Sequence, residues 1–146
     1  AKAIGNGMPI GACWARTDVA GVFQPGDHGS TYSGTALATA AVSAVIDEMR
    51  RIDAPRLATE RGARFTELLL QLPQVESVRG AGLILGAQLV DGIDAPEIYQ
   101  ALLGKALICN AVNASTLRFL PPLTVSEAEL VEAAGLIAEA LQEASS

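Results

Sequence analysis

From residue 35 to residue 141 the spacing of apolar side chains switches repeatedly between the helical period and the strand period, which restricts the chain to a mixed fold with helices layered on a small sheet. Residues 35–52 carry Leu37, Ala41, Val42, Val45, Ile46 and Met49 at helical intervals. Arg50 and Arg51 fall in the last turn, where cations suit the helix dipole. Pro55 interrupts, and a second helix is predicted over residues 56–72. Leu57, Ala58, Phe65, Leu68 and Leu69 lie on one side of it and Pro73 just past its end, an amphipathic pattern suited to packing on a sheet. Residues 75–78 and 83–90 read as two strands joined by a tight turn at Gly80 and Gly82 and closed off by Asp91-Gly92. A helix follows over residues 95–105 with Pro96 in its first turn, then strands at 107–110 and 116–120, the latter stopped by Pro121-Pro122. Ser126 and Glu129 have the spacing of a capping box, and Leu130, Ala133, Ala134, Ile137 and Leu141 recur helically behind them.

The first 34 residues obey neither period. Seven glycines, from Gly5 to Gly34, surround one apolar run at residues 10–15, which reads as loop, buried strand, loop. A boundary is placed at Asp53-Ala54-Pro55, dividing the chain into residues 1–53 and 54–146. At 50% hydrophobic residues and a net charge of −6 over 146 residues the composition is that of a folded chain, and no run approaches the roughly 18 apolar residues of a membrane helix. Eight Arg and only two Lys, spread along an acidic chain, form no basic patch and argue against nucleic acid as a partner. Cys13 and Cys109, far apart in apolar settings, read as buried free thiols and place the chain in a reducing cytoplasm. No secretion signal is visible. A start at Ala-Lys-Ala without Met reads as the later part of a longer protein, or a trimmed one.

Three segments concentrate residues that can do chemistry. In the first, Lys2 precedes glycines at positions 5, 7 and 11, which let backbone approach another group closely. A lysine amine on such a loop can form a Schiff base with a carbonyl cofactor; the alternative is a solvated terminal charge. In the second, Ser30, Thr31 and Ser33 stand between glycines just ahead of a helix start, a cradle for an anion such as phosphate. Ser33 or Thr35 also reads as the helix cap. His28, the lone histidine, reads as structural or interfacial. In the third, Arg118 sits within an apolar strand and requires a carboxylate, supplied either by an internal Asp or Glu or by a substrate. Arg79, at a turn, reads as a structural ion pair or a solvated charge. With one histidine, two distant cysteines and no CxxC, HExxH, GxSxG or P-loop pattern, metal and serine-triad chemistry find no support.

Taken together, Lys2-Ala-Ile-Gly-Asn-Gly-Met-Pro-Ile-Gly11, His28-Gly-Ser-Thr-Tyr-Ser-Gly34, Arg79-Gly-Ala-Gly-Leu83 and Leu117-Arg-Phe-Leu-Pro-Pro-Leu123 follow the order and approximate spacing of the class III pyridoxal-phosphate aminotransferases. The chain resembles the C-terminal part of that family over nearly its whole length, with the acetylornithine branch most similar and the ornithine branch next. The resemblance implies a fold type I α/β architecture. Residues 1–53 would then be the end of the large, cofactor-binding domain with a long interdomain helix, and residues 54–146 the small C-terminal α/β domain. It implies that Lys2 is the Schiff-base lysine and proton shuttle for pyridoxal 5'-phosphate, and that Thr31, with Ser30 beside it, binds the phosphate of a cofactor held mainly by the other subunit of a homodimer. It also implies that Arg118 grips the substrate α-carboxylate. Amino transfer between N-acetylornithine and 2-oxoglutarate is the implied reaction; ornithine, 4-aminobutyrate and succinylornithine are alternative donors, and a non-catalytic dimerisation or small-molecule-binding domain is the alternative of another class. Family members usually show Gly and Asn where this chain has Ser33 and Thr35. The acidic partner of the pyridine nitrogen, the ring-stacking aromatic and the main phosphate loop are not among these residues, so the chain alone is expected to be inactive.

Overall fold

The computed structural model describes residues 2–27, 29–31 and 34–144, excluding the side chain of Lys2. The chain divides into two compact units, Ala1–Asp53 and Ala54–Ser146.

The first unit opens with a 3-10 turn, Lys2–Gly5, closed by hydrogen bonds from the Asn6 amide to the Ala3 carbonyl (3.1 Å) and from the Met8 amide to the Gly5 carbonyl (3.0 Å). Asn6 and Gly7 then take positive φ (44° and 103°) and reverse the chain. The buried strand expected at residues 10–15 does not form: residues 9–16 belong to no helix or strand, and Trp14 is 85% exposed. The physical reason is pairing. This unit has no second strand among its described residues, and an isolated strand would leave its backbone donors and acceptors unmatched. Cys13, expected to be buried, is exposed with it. A four-residue helix α1 (Thr17–Ala20) follows, then the long helix α2 (Ala36–Arg51). Thr35 caps α2, its hydroxyl accepting from the Ala38 amide at 3.4 Å, and Arg50 and Arg51 occupy its last turn as expected. The 3-10 turn packs against α2.

The second unit holds helix α3 (Ala54–Leu70), strands β1 (Val75–Ala81) and β2 (Ile84–Leu89), helix α4 (Ala95–Gly104), strands β3 (Asn110–Asn113) and β4 (Thr116–Phe119), and helix α5 (Glu127–Ala144). The expected break between the two helices falls at Ile52-Asp53, just before Pro55. That proline sits in the first turn of α3, where a missing N–H costs no intrahelical bond. β1 runs three residues beyond its expected end, so the hairpin turn is Gly82-Leu83, with Gly82 supplying the positive φ (54°) needed at its first central position. β3 begins later than the sequence suggests. Ala106 adopts φ 62°, and the Leu107 amide returns to the Leu102 carbonyl at 2.9 Å, a helix-ending motif that ties residue 107 to α4 instead of the sheet.

The sheet is antiparallel throughout, in the order β1-β2-β4-β3. Alternation gives it two unlike faces. Leu85, Ala87 and Leu89 of β2 and Leu117 and Phe119 of β4 are buried beneath the helices. Gly86, Gln88, Thr116 and Arg118 point the other way. α3 lies on β1 and β2, α4 on β3 and β4, and α5 packs against both helices, so all three cover one face as the sequence predicts. Phe65 of α3 meets Phe119 edge to face, ring centroids 5.5 Å apart. The capping box forms reciprocally: the Ser126 amide donates to Glu129 Oε2 (2.7 Å) and the Glu129 amide to Ser126 Oγ (3.2 Å). Fully buried Leu69, Leu89, Leu102, Leu117, Leu130 and Leu141 contribute about 1.5–3 kcal/mol each.

Candidate functional site

Lys2, Ser30 and Thr31 belong to the first unit and Arg118 to the second. The backbone of Lys2 begins the 3-10 turn. Gly5 within that turn is buried, and a Cβ there would stand 2.7 Å from Ile10 Cγ2, so the loop that carries the lysine is held close to its own following segment. Ser30 and Thr31 are exposed, and Gly34 (φ 73°) leads from them into the Thr35 cap. The first turn of α2 contains no acidic residue, and nearby Asp27 is engaged by the Gln24 amide at 2.7 Å. Two hydroxyls ahead of a helix N-terminus whose field is not cancelled by a carboxylate suit an anion. His28 and Ser33 lie outside the described residues; of the two proposed caps, Thr35 is the one seen.

Arg118 lies on the open face of the sheet and is exposed. Among the described residues it forms no ion pair with an Asp or Glu; its Nη2 donates instead to Asn110 Oδ1 at 3.1 Å, across the β3–β4 pairing. Asn110 was not singled out by the sequence, because its place opposite Arg118 follows from strand register and not from any local motif. An amide oxygen orients a guanidinium without neutralising it. Arg118 can therefore present a positive, planar fork to a carboxylate.

Two other groups with reactive side chains, Lys105 and Cys109, are held out of reaction. Lys105, the second lysine, contacts Glu143 at 3.0 Å and Glu139 at 3.2 Å; hydrogen bonds to these carboxylates, Glu143 first, hold its ammonium above the ordinary range and keep it protonated. Cys109 is buried, and burial pushes its thiol up to about 11, which suppresses the thiolate. A cleft of about 400 Å³ on the helix side of the sheet is lined by Phe65, Ile108, Phe119, Pro121 and Val125; its one ionisable lining residue, Glu129, is committed to the capping box. Among the described residues no His, Cys, Asp and Glu cluster could hold a metal ion, and no helix is long and apolar enough to cross a membrane.

Comparison with known proteins places these features in one context. The family model described as aminotransferase class-III matches residues 1–141. The acetylornithine aminotransferase of Caldanaerobacter subterraneus subsp. tengcongensis is 42% identical, covering 98% of this chain and 37% of that protein. Ornithine aminotransferase 2 of Staphylococcus aureus is 39% identical, covering 88% of this chain and 33% of that protein. The chain thus spans little more than a third of the curated relatives it matches. Among solved structures, the ornithine aminotransferase of Toxoplasma gondii, with PLP at partial occupancy in its active site, superposes with a TM-score of 0.76 at 26% identity, covering 89% of this chain and 32% of that one.

Proposed function

Because the chain belongs to the class III aminotransferases, we propose that it contributes Lys2, Ser30, Thr31 and Arg118 to a pyridoxal-5'-phosphate-dependent acetylornithine:2-oxoglutarate aminotransferase of arginine biosynthesis, working as a cytoplasmic homodimer. Several acetylornithine aminotransferases at 35–42% identity support this donor over others. Ornithine is the second reading, favoured by the 39% identity to an ornithine aminotransferase. The observation that carries the chemistry is Arg118: an exposed guanidinium, with no acidic partner among the described residues, oriented by a neutral amide on the open face of a sheet.

The residues present fit the phosphate end of the cofactor, since exposed hydroxyls and a helix N-terminus free of acidic side chains are the donor set a phosphate takes. When bound, the cofactor supplies an aldehyde that takes up the amino group and a conjugated ring that withdraws the electrons left at the substrate carbon. Lys2 would hold it through Nζ and would carry at Nζ the proton exchanged with the substrate carbon. Thr31, with Ser30 beside it, donates hydroxyl hydrogen bonds to the phosphate held mainly by the partner subunit. Arg118 fixes the α-carboxylate bidentately and so sets which bond at the adjacent carbon faces the base. The chain alone supplies no acidic partner for the ring nitrogen and is inactive in this reading.

Two lysines make the assignment easy to test. Borohydride reduction of the complete protein loaded with pyridoxal phosphate is expected to fix cofactor mass on Lys2 and leave Lys105, paired with Glu139 and Glu143, unmodified. Labelling confined to Lys105 refutes the assignment. Relative turnover of N-acetylornithine and ornithine then decides the donor.

A further inference from the structure

The chain has three asparagines, and they stand in unlike surroundings. Asn110 Oδ1 accepts from Arg118 Nη2 at 3.1 Å and Asn113 Oδ1 from the Ser115 amide at 2.9 Å, and each is followed by alanine. Asn6 is exposed and followed by glycine, and its carboxamide forms no hydrogen bond among the described residues. Asn6 and Gly7 are the central residues of a tight turn closed by the Met8 amide on the Gly5 carbonyl at 3.0 Å; positive φ at both (44° and 103°) makes it type I′. The bond that closes the turn uses its outer residues. The Gly7 N–H between them has no partner among the described residues and lies beside a carboxamide equally unengaged. A type I′ turn becomes type II′ by turning over its central peptide, which keeps φ positive at the first central residue and reverses its sign at the second. That turnover carries the Gly7 nitrogen toward Asn6 Cγ while the Met8–Gly5 bond stays closed. Glycine passes freely between the two signs of φ, and nothing lies within 4 Å of where a Cβ on Gly7 would stand.

We infer that Asn6-Gly7 is a self-modifying site, at which Asn6 loses ammonia through a cyclic imide and ends as aspartate or isoaspartate. The Gly7 nitrogen bonds to Asn6 Cγ, the Cγ–Nδ2 bond breaks, and Nδ2 leaves as ammonia with the proton that Gly7 gives up. Water then opens the imide at either carbonyl. Breaking the new Cγ–N bond yields aspartate; breaking the original backbone C–N bond yields isoaspartate, with the chain rerouted through Cγ. Water is the only co-reactant, and nothing is oxidised or reduced. Residues 1–17 hold no Asp or Glu, so the product is the first anion in the segment that carries Lys2. The inference goes beyond the amino-transfer function proposed above and stands independently of it.

The test is incubation of the complete protein at mildly alkaline pH, followed by trypsin digestion and mass spectrometry. Cleavage after Lys2 and Arg16 isolates residues 3–16, and cleavage after Lys105 and Arg118 isolates residues 106–118 with both other asparagines. Peptide 3–16 is expected to gain the mass difference between amide and acid, in two chromatographic forms, each holding one heavy oxygen when the buffer is made in heavy-oxygen water. Peptide 106–118 should lag roughly tenfold or more, because its carboxamides must first leave their hydrogen bonds. N6Q, whose longer side chain closes a less favoured ring, should remove the conversion of 3–16 and leave 106–118 as before. An Asn6 that stays amidated in the folded protein yet converts once urea unfolds it overturns the inference, because the turn would then protect it. So does conversion of 106–118 at the same rate, or aspartate as the sole product, which marks direct hydrolysis without the imide.

Discussion

Replacing Gly62 by alanine should destabilise the protein although it improves helix propensity. Gly62 is buried within α3, where alanine is intrinsically better than glycine by about 1 kcal/mol. The tip of the β1–β2 hairpin, however, rests on it: a Cβ at residue 62 would overlap the carbonyl oxygen of Gly82 and lie 2.5 Å from its carbon and 3.0 Å from its Cα. These are backbone atoms of a turn fixed by the positive φ of Gly82 (54°), so neither partner can yield as a flexible side chain would. Separating helix and hairpin enough to admit the methyl group is overpacking, which costs about 1–3 kcal/mol and sets helix α3 off the sheet it covers. The net expectation is a loss of up to about 2 kcal/mol. Gly135 of α5 is the matched control, helical and exposed with nothing within 4 Å of an added Cβ, and G135A should gain up to about 1 kcal/mol. With a urea m-value of about 1–3 kcal/mol/M the two midpoints should differ by about 1 M, measured by far-UV circular dichroism. A G62A midpoint at or above that of the unaltered protein would show that the helix–hairpin approach is not held by the missing side chain.

Two further outcomes follow from burial and capping. At pH 8 a colorimetric thiol reagent should modify exposed Cys13 rapidly and Cys109, buried with its thiol pushed up to about 11, only after unfolding in urea; two fast thiols in the folded protein would contradict the core packing. Glu129 is held below its ordinary value of 4.5, first by the Ser126 amide and then by the Ser126 hydroxyl, so its contribution is present above that value and is lost as pH falls through the lower folded one. E129Q keeps the reach without the titration and should shallow the acid limb of a plot of urea midpoint against pH; parallel limbs would refute it.

The second unit could be read from sequence because its local and tertiary signals agree. The capping box at Ser126, the proline stop after Phe119 and the apolar spacing of α3, α4 and α5 each name an element whose buried face finds a partner within the same unit. The first unit could not be read that way. Its apolar run at residues 10–15 says that something should cover Trp14 and Cys13 but not what, and in α2 only Ala38 is buried while Leu37 is 69% exposed. Hydrophobic periodicity reports a face that wants covering; a strand also needs a neighbour to pair with, and that information is absent from the strand itself. The site divides along the same line. Lys2, Ser30, Thr31 and Arg118 are named by ordered local motifs, whereas Asn110 gains meaning only from register. That register is set by the turn at Ala114-Ser115 and by the irregularity between Ala111 and Asn113, which together place Asn110 opposite Arg118. A short turn and a bulge, without chemistry of their own, thus determine which polar side chain stands beside the arginine. For that reason the partner of Arg118 had to be found in the pairing of strands and could not be found in any one of them.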